Sequence, residues 1–152
     1  MPKKIHLVCN AHLDPIWQWE WEEGAASALS TFKSASDLCD EFDYIFCHNE
    51  VTLYKYIEEY APELFEDIKR HVKEGKWKII GGWYLQPDCN MPCGESFVRQ
   101  IQFGKNYFHE KFGVEPKSAY NVDAFGHTAG LVQIMKKCGQ DNCVIVRKGD
   151  DP

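Results

Sequence analysis

Residues 5–17 read Ile-His-Leu-Val-Cys-Asn-Ala-His-Leu-Asp-Pro-Ile-Trp. The apolar run from Ile5 to Cys9 predicts a strand, and His12, Asp14 and Trp17 leave its carboxyl end together. The pattern downstream of this strand decides the fold. Further short apolar or β-branched runs lie at Tyr44–His48, Trp77–Gly81, Ser118–Val122 and Cys143–Val146, and with Lys4–Cys9 they make five candidate strands. Helical stretches separate them. Trp21–Phe42 is the least regular, and Val51–Val72 carries Pro62 as a break and Gly75 beyond its end. Glu95–Phe112 turns Phe97, Ile101, Phe108 and Phe112 to one side before Gly113, and Thr128–Cys138 ends at Gly139. Strand and helix alternate throughout, which predicts an α/β fold: a parallel sheet of about five strands with right-handed crossover helices.

The chain has 152 residues, 44% of them hydrophobic, which suits a single domain with a real core. A net charge of −6 argues against nucleic acid, whose phosphates call for a basic surface. No apolar run reaches the roughly 20 residues that span a bilayer, and Met-Pro-Lys-Lys does not open a signal peptide, so a cytoplasmic location is expected. The seven cysteines lack a duplicated zinc-ribbon spacing and read as free thiols.

Ligands of parallel α/β sheets bind beyond the carboxyl ends of the strands. Strand by strand, those ends carry His12, Asp14 and Trp17; His48, Asn49 and Glu50; Trp83, Tyr84, Asp88 and Asn90; Asp123, Phe125 and His127; and Arg147. Imidazole with carboxylate suits Zn2+ better than calcium or magnesium, and Asp123 is the natural third ligand beside His12 and Asp14. Aromatic rings beside carboxylates and a metal suit a polyol or sugar. Taken singly, each feature has a plainer reading. Asp14 and Asp123 would cap turns or helices, His48 and His127 would pack or cap, Trp19 and Trp21 would serve core or interface, and Arg147 would form a surface ion pair.

Three blocks together carry a resemblance: His12-Leu-Asp14-Pro-Ile-Trp17; Asp88-Cys-Asn90-Met-Pro-Cys-Gly94-Glu95-Ser96-Phe-Val-Arg99-Gln100; and Asn121-Val-Asp123-Ala-Phe125-Gly126-His127-Thr128. In this order they resemble the N-terminal catalytic domain of the family 38 glycoside hydrolases, the α-mannosidases, of bacterial or cytosolic type. The resemblance implies a seven-stranded β/α barrel of which residues 1–152 form the first part. It also implies a retaining, zinc-dependent hydrolysis of α-mannosides. In that picture His12 and Asp14 match zinc ligands, and Asp123 matches the residue that is both ligand and nucleophile. Trp17, Phe125, Arg147 and Asp88 fall in the substrate-binding set. A second histidine ligand and the acid/base carboxylate would lie beyond residue 152. The chain alone is then expected to be inactive or very weak, and its open strand edges to invite self-association into a homo-oligomer. Two other readings stand beside this one. One is a non-catalytic sugar- or metal-binding fragment. The other is a metal-dependent polysaccharide deacetylase, which usually shows an Asp-Asp dipeptide after its first strand and an H-x3-H motif, both missing here.

Overall fold

In chain order the computed structural model, which describes residues 3–146, runs β1 (Cys9–Asn10), α1 (Trp21–Glu41), β2 (Phe46–Glu50), α2 (Val51–Tyr60), α3 (Pro62–Glu74), β3 (Trp77–Trp83), α4 (Gly94–Phe112), β4 (Ser118–Asn121), α5 (Gly130–Lys137) and β5 (Asn142–Ile145). The alternation matches the expectation, and every strand pairing is parallel. Pro62 opens α3 and so divides α2 from α3. Gly75 and Gly113 end α3 and α4 in the left-handed conformation that lacks a Cβ penalty.

The strands do not form one sheet. β1, β2 and β3 make a three-stranded sheet, and β4 and β5 make a second of two strands. The expected single sheet of about five strands is therefore divided, and among the described residues neither sheet closes as a barrel. The break lies where β3 carries Gly81 and Gly82, both at positive φ. Their backbone departs from the extended geometry that a ladder to β4 requires. Side-chain amides bridge the gap instead. Asn49 Nδ2 donates to the Tyr120 carbonyl at 3.3 Å, and Gln140 Nε2 donates to the Gly81 carbonyl at 2.6 Å.

The first strand is shorter than its apolar run. β1 meets β2 only at Cys9↔Phe46 and Asn10↔Cys47, because β2 begins at Phe46 and offers no ladder partner upstream. Ile5, Leu7 and Val8 consequently remain exposed.

Helix α1 looked irregular in sequence because its buried face is built from small residues. Ala25, Ala28, Phe32, Ala35 and Cys39 recur at helical spacing, so Phe32 is the single large side chain of the stripe. Around it pack Phe46, Tyr54 and Trp77, with ring centroids 6.4, 5.1 and 5.3 Å away. Edge-on aromatic packing of this kind adds to plain area burial. Trp77 Nε1 donates to Tyr54 Oη at 2.8 Å, so the buried indole N–H is satisfied. This first core is continuous across α1, α2, α3 and β2–β3. A smaller core lies under α4 and α5, from Trp83, Cys89, Phe97, Ile101, Ala119, Ala124 and Leu131.

Candidate active site

β1 and β3 flank β2 in parallel, so the loops after them leave at one edge, and the loop after β4 of the second sheet meets them there. They enclose a cavity of about 240 Å³ lined by His12, Asp14, Ile16, Trp17, Gln86, Asp123 and Phe125. Five of the residues expected from sequence therefore meet in one place. His12 and Asp14 follow β1, Asp123 and Phe125 follow β4, and the rings of Trp17 and Phe125 stay 56% and 66% exposed as walls. Trp19 stacks at a tilt on Trp17, centroids 6.3 Å apart, and its Nε1 donates to the Asp14 carbonyl at 3.2 Å, which steadies the loop between them.

The polar centre is His12. Its Nε2 is buried and makes no hydrogen bond among the described residues, and it stands 3.3 Å from Asp14 Oδ1 and 3.9 Å from Asp123 Oδ2. A buried polar atom without a hydrogen bond is costly, and a cation bound at Nε2 would relieve that cost. A tetrahedral zinc held at about 2.0 Å separates its ligand atoms by about 3.3 Å. The His12–Asp14 separation meets that spacing, and the His12–Asp123 separation is slightly wider. Among the described residues, no group of three or more His, Cys, Asp and Glu stands in finished metal-holding geometry. Imidazole and carboxylate donors suit such an ion, with Asp123 standing farther from His12 than Asp14 does.

Asp123 has φ +67°, and it is the non-glycine residue in the left-handed region among those described. Aspartate tolerates this better than most residues, but the conformation carries strain that neighbouring structure must hold. The loop after β3 holds it. Asn121 Nδ2 donates to Cys89 Sγ at 3.0 Å, and Gln86 binds both backbone polar groups of Val122. Asn90 Nδ2 donates to the Phe125 carbonyl at 2.7 Å.

Asp88 is not among the residues lining the cavity. It is exposed, and its Oδ1 accepts the backbone N–H groups of Asn90 at 2.8 Å and Met91 at 3.0 Å. Those two bonds hold its carboxyl below the usual range and shape the turn that sets Asn90 against Phe125. Arg147 lies outside the described residues. His127 is likewise absent from the cavity lining. His48 is a core residue, fully buried against Phe32 at 4.8 Å between ring centroids, and burial pushes its pKa down to about 3.

Gln86 escaped the sequence reading, and Glu50 entered it only as a strand-end residue without an assigned role. Glu50 ends β2, is 2% exposed, and shares an adjoining cavity of about 190 Å³ with His12, Asp14 and Gln86. Burial pushes its carboxyl up to about 8, and the nearby Asp14 charge adds to the effect. Its place after a strand was visible, but nothing in the sequence separates a buried carboxylate from a solvated one. Gln86 left no local signal, since a lone loop amide has no period or motif.

Comparison with known proteins bears on the family and the fold. The chain is 30% identical over 142 residues to alpha-mannosidase G of Dictyostelium discoideum, covering 93% of this chain and 13% of that protein. Its fold is similar to an alpha-mannosidase from Enterococcus faecalis V583, with TM-score 0.82 and 24% identity over 91% of this chain and 16% of that one. A Streptococcus pyogenes deacetylase is also similar, with TM-score 0.59 and 12% identity over 74% of this chain and 49% of that one; a likeness at this identity concerns the fold alone. The chain thus spans only about an eighth of the length of the curated relative, 13%. Residues 2–149 match the N-terminal domain of the glycosyl hydrolases family 38. The chain belongs to that family, whose curated members matched here are α-mannosidases.

Proposed function

We propose that this domain supplies the metal-binding and nucleophilic half of a zinc-dependent retaining α-mannosidase acting on α-mannosides of oligosaccharides. The observation that carries the reading is the buried His12 Nε2 facing the carboxylates of Asp14 and Asp123 inside a cavity walled by Trp17 and Phe125. His12, Asp14 and Asp123 would hold the ion. Once bound, zinc supplies Lewis acidity and a fixed anchor for adjacent sugar hydroxyls. Trp17 and Phe125 offer apolar faces to the C–H surface of the pyranose, and Asp88 contributes by fixing the turn behind Phe125. Arg147, outside the described residues, is assigned to substrate binding by the resemblance alone.

Asp123 attacks the anomeric carbon, the bond to the leaving oxygen breaks, and an acid beyond this domain gives that oxygen its proton. Water then hydrolyses the glycosyl ester on Asp123 with net retention. Support for a reducing, cytoplasmic setting comes from all seven cysteines being free thiols. No described helix is long and apolar enough to cross a membrane.

The direct test uses the full-length polypeptide containing this domain, assayed on an aryl α-mannoside. Asp123→Ala is expected to lower kcat by about 10³-fold or more. Incubation with a fluorinated mannosyl donor should leave a mass label on the peptide that contains Asp123. Undiminished activity in Asp123→Ala would exclude it as nucleophile. A chain that binds mannose but never turns over, even with its downstream domains, would favour the non-catalytic sugar-binding reading.

A further inference from the structure

The residue before Asp123 is pinned on both sides of its backbone. Gln86 Nε2 donates to the Val122 carbonyl at 2.6 Å, and Gln86 Oε1 accepts the Val122 N–H at 2.8 Å. One side-chain amide thus satisfies both backbone groups of a single residue, as a neighbouring strand would. This contact stands beside the gap between β3 and β4, which have no ladder of their own. Val122 directly follows β4 and directly precedes Asp123. Gln86 also lines both cavities that contain His12 and Asp14, so it touches the site and the loop at once.

We infer that Gln86 is the positioning residue for Asp123. Its two-point clamp on Val122 fixes the strained turn and so sets the Asp123 carboxylate against His12. Two hydrogen bonds restrict the peptide planes on either side of Val122, next to the φ of +67° at Asp123. Without the clamp the loop relaxes toward a common backbone region, and the carboxylate moves relative to His12. Groups that orient a metal ligand from behind typically change metal affinity by about 10–100-fold when removed. The inference rests on the zinc reading proposed above.

Gln140 provides the control. Its Nε2 donates to the Gly81 carbonyl at 2.6 Å, also across the gap, but it lines neither site cavity. The experiment compares wild type, Gln86→Met and Gln140→Met in the full-length polypeptide. After removal of metal, zinc affinity is measured by competition with a chromophoric chelator. Amide exchange is followed on the peptide containing Val122. Gln86→Met is expected to lose about tenfold or more in zinc affinity and to exchange faster at Val122, while Gln140→Met keeps wild-type affinity. Gln86→Glu retains the acceptor for the Val122 N–H and should fall between the two; it carries the comparison if Gln86→Met does not fold. A folded Gln86 variant with wild-type zinc affinity overturns the inference and leaves the metal reading intact. A wild-type protein that takes up no zinc overturns both.

Discussion

The two halves of this domain solve the same packing problem with different means. The β1–β3 half buries a continuous aromatic core, with Phe32 at its centre and Tyr54, Trp77 and His48 around it. The β4–β5 half has two strands and a smaller core of mostly aliphatic and small side chains. In the first half, apolar area holds the sheet. At the junction with the second, single amide side chains take over. Precision in the site therefore rests on hydrogen bonds, while bulk stability rests on the aromatic core.

If that division holds, substitutions should rank accordingly. Phe32→Ala is expected to cost the most, about 4 kcal/mol, since it leaves a cavity among rigid rings. Urea denaturation of the isolated variant checks this; a loss smaller than that of Leu131→Ala would reverse the comparison. Leu131→Ala, in the smaller core at 3% exposure, should cost about 2.5 kcal/mol because its neighbours can collapse further. Gly104→Ala tests the closeness of α4 to β3, because a Cβ there would run into the backbone of Gly82 and Trp83. Forcing the helix away should cost about 2 kcal/mol, seen as a lowered unfolding midpoint. Asn49→Ala removes one bridge to Tyr120 and should cost about 1.5 kcal/mol, with greater exchange in β4 than in β2.

The smallest effect, per pH unit, comes from the end of β2. Glu50 is pushed from 4.5 up to about 8, so the folded state binds its proton more tightly and stability falls as pH rises through that window. His48 is pushed from 6.5 down to about 3, so the unfolded state takes the proton first and stability falls as pH drops through that window. Between 4.5 and 6.5 the two oppose each other and give a plateau. Above it, Glu50 alone gives a slope of at most about 1.4 kcal/mol per pH unit. Melting curves across pH should show the alkaline limb in wild type and not in Glu50→Gln. An unchanged limb in that variant would assign it to another group.

Much of the architecture was legible because it depends on local rules. Pro62 had to divide a helix, Gly75 and Gly113 had to end theirs, and the strand ends had to deliver His12, Asp14, Trp17, Asp123 and Phe125 to one edge. The length of β1 was not legible. An apolar run predicts a strand but cannot say whether a partner exists for each residue, and β2 begins too late to pair with Ile5, Leu7 and Val8. Asp88 read as a substrate contact because it follows β3; in the fold its Oδ1 is taken up by its own turn. Gln86 was silent, and Glu50 showed only its place at a strand end, since burial and long-range pairing leave no trace in neighbouring letters.

The amino-acid sequence alone determined the element order, the parallel sense of the strands and the family, because periodicity, turn chemistry and motif blocks are properties of short segments. Only the tertiary structure decided that the strands part into two sheets at Gly81 and Gly82. It alone showed that amides bridge the break and that Asp123 sits in a strained turn clamped through Val122. Those features arise from contacts between residues far apart in the chain, whose geometry exists only once the backbone has closed around them.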